Sequence, residues 1–99
     1  MAGNACNIPE RVYRDIVTFA RKADINKIIL FGSRARRTNR ERSDIDLAVS
    51  GGRFQDFYWD IQEKTHSLLS FDLVEMDRGV SGELLEEINR DGVVIYEKD

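Results

Sequence analysis

The chain has 99 residues with a net charge of −3; 41% are apolar and 33% charged. That length allows one domain with one small core, and the composition is globular rather than disordered. No apolar run reaches the length of a membrane span, no h-region opens the chain, and the single cysteine, Cys6, makes neither an internal disulfide nor a metal cluster. A reducing, cytoplasmic setting fits these features. Charge is unevenly distributed. Residues 1–42 carry ten Lys/Arg against four Asp/Glu, and residues 43–99 carry five against fourteen. Because the whole is acidic, a general nucleic-acid coat is not expected.

In chain order, residues 9–23 read as a helix: Pro9 suits a first turn, and Val12, Ile16, Phe19 and Ala20 recur at helical spacing. Residues 27–31, KIILF, form a short apolar run expected as a buried strand. Gly32 and Ser33 follow at once, and residues 33–38 are expected as a short helix capped by Ser33. Five arginines crowd the next stretch: Arg34, Arg36, Arg37, Arg40 and Arg42. They form either a solvated loop or an anion site. Residues 44–50, DIDLAVS, alternate as a strand with Ile45, Leu47 and Val49 on one side and Asp44, Asp46 and Ala48 on the other. An amphipathic helix over 53–69 follows, with Phe54, Phe57, Tyr58, Ile61 and Leu68 on one side. Trp59 falls between these positions and is the expected exposed aromatic of a partner-facing patch. His66, the only histidine, is placed on the helix surface. Residues 71–76, FDLVEM, are a third strand. Ser81 caps a last helix that turns Leu84, Leu85 and Ile88 inward; Gly92 ends it, and residues 93–96 are a final strand. This alternation predicts an α/β (α+β) domain over residues 1–99, a small mixed sheet with helices packed on it. The tight link from the first strand to the second predicts an antiparallel pair, and the helical crossover to the third permits a parallel one.

Three features carry chemistry. Gly32-Ser33 lies between a buried strand and a helix, where glycine lets a ligand approach the backbone and the helix start offers free N–H groups to phosphate. A plain turn is the alternative. Asp44-x-Asp46 places two carboxylates on one face, about 6–7 Å apart along the strand. Aspartate is disfavoured in strands, so a pair in an apolar strand argues against a merely solvated edge. Hard oxygen ligands on a rigid strand suit Mg²⁺. Asp72 is a third carboxylate within an apolar strand, on the face of Val74 and Met76; Glu75 faces the other way and Asp77 lies at the strand end.

Gly32-Ser33, ten residues, then Asp44-Ile45-Asp46-Leu47 resembles the GSX10DXD signature of the DNA polymerase β-like nucleotidyltransferases. G-S-R-A-R followed by S-D-I-D-L-A-V, with the closing N-R-D-G-V-V-I-Y-E, is similar to the minimal nucleotidyltransferases, the MNT group. The resemblance spans nearly the whole chain and implies a polymerase β palm-like fold. It implies that Gly32 and Ser33 hold the triphosphate of ATP and that Asp44, Asp46 and Asp72 hold two Mg²⁺ ions, roughly 3.5–4 Å apart. Asp72 would serve the metal nearest the acceptor hydroxyl. Arg34, in the first turn after Ser33, is the preferred arginine for the triphosphate, with Arg36 second. The implied activity is transfer of AMP to a tyrosine of a HEPN-type toxin, in an antitoxin role. A larger nucleotidyltransferase adds a domain that grips the acceptor; here the acceptor is expected on another molecule, in a homo- or hetero-oligomer. Two alternatives stand beside this: an antitoxin that neutralises by docking alone, and an adenylyltransferase acting on small molecules such as antibiotics.

Overall fold

The computed structural model describes residues 8–65 and 68–98. Cys6 and His66 lie outside the described residues. Helix α1 (Glu10–Lys22) leads into strand β1 (Lys27–Phe31), a single-turn helix α2 (Ser33–Arg36) and strand β2 (Ile45–Ser50). Helix α3 (Phe54–Lys64), strand β3 (Phe71–Glu75), a 3-10 turn (Met76–Arg78), helix α4 (Gly82–Asp91) and strand β4 (Val93–Glu97) complete the chain. The sheet order is β3-β2-β1-β4. β1 pairs antiparallel with both β2 and β4, while β2 pairs parallel with β3. The mixed sheet expected from the connection lengths is the one observed.

Alternation within β2 divides the molecule. Ile45, Leu47 and Val49 are buried in the main core with Val12, Ile16 and Ala20 of α1 and Phe57 and Ile61 of α3. On the opposite face Phe31, Ala48 and Ile88 form a smaller core, with Ile29, Val74 and Leu84 packed against it. The sheet is therefore backed by α1 and α3 and covered on its other side by α4. Asp60, only 8% exposed, is flanked by Lys22 at 3.6 Å and Lys64 at 3.1 Å, so α3 is tied to α1 by charge as well as by apolar contact.

Several boundaries differ from the sequence expectation. α3 stops at Lys64, with Thr65 extended, and Leu68 is almost fully exposed instead of lining the inner face. Leu85 is 40% exposed, because Leu84 and Ile88 already occupy the inward stripe of α4. Ser33 is the first residue inside α2, and Gly32 occupies the cap position without a side-chain bond. At α4 the expected cap is in place: Ser81 Oγ accepts the Leu84 N–H at 3.3 Å. Trp59 is 56% exposed, while its neighbour Phe57 is fully buried.

Candidate active site

Strand register brings two of the three carboxylates side by side. Phe31 of β1 lies opposite Asp46 of β2, and Asp46 lies opposite Asp72 of β3. Cross-strand partners share a face, so Asp46 and Asp72 project together on the α4 side. Exposure rises along this row: Phe31 is buried, Asp46 half-buried and Asp72 exposed. The next row, Ile29, Ala48 and Val74, is apolar and lies under α4. Asp44 sits just ahead of β2, two residues from Asp46, and is exposed. The rivals of Asp72 are engaged elsewhere. Glu75 is 3.2 Å from Arg78, and Asp77 accepts the Gly51 N–H at 2.7 Å.

Gly32 closes over this group. Its φ of 75° and ψ of −158° belong to a region open essentially to glycine alone. A Cβ there would stand 2.1 Å from Asp46 Oδ2, so any side chain would strike the carboxylate. Lacking one, the backbone turn and Asp46 stand side by side with Ser33 next in line. From that turn the chain rises through α2, whose two arginines take different roles. Arg34 is 3% exposed; its Nε donates to the Ser43 carbonyl at 3.1 Å and its Nη2 to the Glu41 carbonyl at 3.0 Å. The arginine preferred for the triphosphate is thus a buried brace for the loop that delivers Asp44. Its guanidinium is more valuable to those carbonyls, which a turn without secondary structure leaves unsatisfied. Arg36 is 40% exposed and pairs with Glu87 at 3.3 Å and Asp91 at 3.5 Å. Arg37, Arg40 and Arg42 lie in the exposed connection, as expected of a solvated loop. Nothing in the sequence distinguishes Glu87 and Asp91 from the other acidic residues of α4, because Glu83 and Glu87 have the same i, i+4 spacing.

The electrostatics identify Asp46 as the strained charge. Its pKa is raised to about 6, first by burial, then by the neighbouring charges of Asp72, Asp44 and Glu87, with Arg36 opposing. Asp44, Asp46 and Asp72 accept no side-chain hydrogen bond and form no ion pair with the described residues. Such a donor set, all oxygen and with its negative charge opposed only by Arg36, fits a hard divalent cation. Among the described residues no three acidic, His or Cys side chains lie together as a group that could hold a metal ion; the register sets Asp46 beside Asp72, and the three carboxylates do not form a closed metal site.

The polymerase beta nucleotidyltransferase family model matches residues 15–99. The chain belongs to that family. Among solved structures, this nucleotidyltransferase shares its fold with a toxin-antitoxin crystallised with AMP-PNP, at a TM-score of 0.64 and 23% identity, over 88% of this chain and 74% of that one. A mutant of the MntA-HpeT toxin-antitoxin gives a TM-score of 0.65 at 23% identity over the same shares. A nucleotidyltransferase of Sulfolobus solfataricus, itself assigned by inference, gives 0.50 at 16% identity, over 89% and 82%. A search of proteins of curated function finds no match. In this family the fold expected from the sequence and the one observed agree. No helix among the described residues is long and apolar enough to cross a membrane.

Proposed function

We propose that this nucleotidyltransferase moves AMP from ATP to a tyrosine hydroxyl of a HEPN-type toxin, acting as the antitoxin of a toxin–antitoxin pair in the cytoplasm. The observation that carries the reading is the register that sets Asp72 beside Asp46 beneath Gly32. The family match supports the transferase chemistry, and the AMP-PNP complex of a fold neighbour supports an adenine nucleotide. That neighbour and the MntA-HpeT structure are both toxin-antitoxins, which supports a toxin as the partner.

In this reading Asp44, Asp46 and Asp72 would hold two Mg²⁺ ions, which would supply charge neutralisation to the reacting phosphate. Gly32 admits the triphosphate against the backbone, and Ser33 offers its hydroxyl to a phosphate oxygen. Arg36 replaces Arg34 as the triphosphate arginine, because its guanidinium is 40% exposed on the short helix that starts at the Gly32 turn against Asp46. The tyrosine oxygen forms a bond to the α-phosphorus as the bond from that phosphorus to the bridging oxygen breaks. Pyrophosphate leaves, and the tyrosine proton passes toward Asp72, the most exposed carboxylate of the row.

The test is transfer of label from α-³²P ATP to the toxin encoded beside this chain. Wild type is expected to label a tyrosine of the toxin, and Asp44→Asn to lower the rate by about 100-fold or more, as when one stabilising group is removed from a transfer site. Absence of labelling by wild type would sink the proposal. Neutralisation of the toxin that persists undiminished in Asp44→Asn would point instead to inhibition by docking.

A further inference from the structure

Arg36 is held from outside the motif that contains it. Its Nη1 donates to Glu87 Oε2 at 3.3 Å and lies 3.5 Å from Asp91 Oδ2. Both carboxylates belong to α4, four residues apart, and so share one side of that helix. The side is fixed in place: Ile88, beside Glu87, is 2% exposed in the small core with Phe31 and Ala48, and Ser81 caps the helix start. Asp91 is held in turn by Arg90 at 3.0 Å. This arrangement differs from a chance surface pair, because the acceptors stand on a packed element and converge on one donor nitrogen. Arg36 Nε and Nη2 donate to no described acceptor, so the edge of the guanidinium suited to a phosphate fork stays open. The helix that carries Arg36 starts at Gly32, whose backbone stands directly against Asp46, so Arg36 is one helical turn from the carboxylate row.

We infer that Glu87 and Asp91 are positioning residues that hold Arg36 at the mouth of the carboxylate site with its Nε–Nη2 edge turned to the triphosphate, which makes α4 part of the nucleotide site. The inference rests on the proposed reading of this site as one that binds a nucleoside triphosphate. An arginine on a one-turn helix has several rotatable bonds, and fixing it before the ligand arrives removes an ordering cost from binding. The two carboxylates also repel phosphate, but their charge is partly neutralised by Arg36 itself, which they hold at 3.3 and 3.5 Å.

The decisive experiment is a double-mutant cycle on ATP binding, measured by titration calorimetry with MgCl₂ present, for wild type, Glu87→Ala, Arg36→Ala and the pair. Glu87→Ala is expected to weaken ATP by about 3- to 10-fold and Arg36→Ala by about 10- to 30-fold, with the double variant within about twofold of Arg36→Ala, as for residues acting through one contact. Equal weakening by Glu87→Ala with and without Arg36, or ATP binding unchanged or tightened by it, overturns the inference and leaves the reading of the site intact. Failure of wild type to bind ATP overturns both. Should Glu87→Ala fail to fold, Glu87→Met removes the acceptor while keeping the length of the side chain, and the same cycle is read with it.

Discussion

Asp46 shows at the scale of one residue how function opposes stability. Its folded pKa of about 6 lies above the ordinary 3.8, so the folded chain takes up its proton more readily than the unfolded chain. This group favours folding most at low pH. Its contribution falls as pH rises from about 4 to about 6 and is constant above that, where the buried charge opposes folding fully. After allowance for the solvent that still reaches it, the cost is on the order of 1 kcal/mol. Asp46→Asn is therefore expected to melt roughly 5 °C above wild type at pH 7.5 in EDTA, and within roughly 2 °C of it at pH 4. Calorimetric scans at the two pH values check this, and a lower melting point for the variant at pH 7.5 would contradict it. A stabilising substitution at a residue proposed to hold metal is the mark of a charge kept for chemistry.

At the scale of an element, the segment between α2 and β2 matters because it delivers Asp44. It has no ladder of its own; the buried Arg34 guanidinium serves in its place by binding the carbonyls of Ser43 and Glu41, and Ser43 directly precedes Asp44. Lysine presents a single point of charge and cannot span both carbonyls. Arg34→Lys is expected to lose about 1–3 kcal/mol in urea denaturation, the cost of leaving buried polar groups unsatisfied. It should also slow AMP transfer, although Arg34 touches no phosphate in the proposed reading. Full stability in the variant would show that the brace is dispensable. The expectation for Arg34 in the sequence rested on its nearness to Ser33, which places its Cα but leaves open whether the side chain turns inward or outward. That choice was made by the loop folding back over α2.

At the scale of the whole molecule, the last strand completes what the first one begins. β4 pairs with β1, Ile95 is buried in the main core, Tyr13 Oη donates to the Ile95 carbonyl at 3.2 Å, and the Lys98 N–H donates to the Asn26 carbonyl at 2.7 Å. Removing residues 92–99 would strip a neighbour from the strand that runs into Gly32. The truncated chain is expected to lose its cooperative thermal transition. Lys98→Ala, which breaks only the exposed pair with Asp24, should leave the thermal transition cooperative and its midpoint nearly unchanged. A cooperative melt in the truncated chain, followed by circular dichroism, would show that β4 is an accessory to the fold.

Much of this was legible without coordinates, for a definite reason. The side on which Asp46, Ala48, Ile45 and Leu47 fall follows from a repeat of two residues, and the caps at Ser81 and Gly92 follow from local backbone chemistry; both are properties of neighbours in the chain. The spacing from Gly32-Ser33 to Asp44-x-Asp46 belongs to the same class. What neighbours cannot determine is contact between segments distant in the chain. The pairing of Asp72 with Asp46, the closing of Gly32 over that carboxylate, the burial of Arg34 and the seating of Arg36 on Glu87 and Asp91 all depend on strand register and helix packing, where each residue's surroundings come from another element.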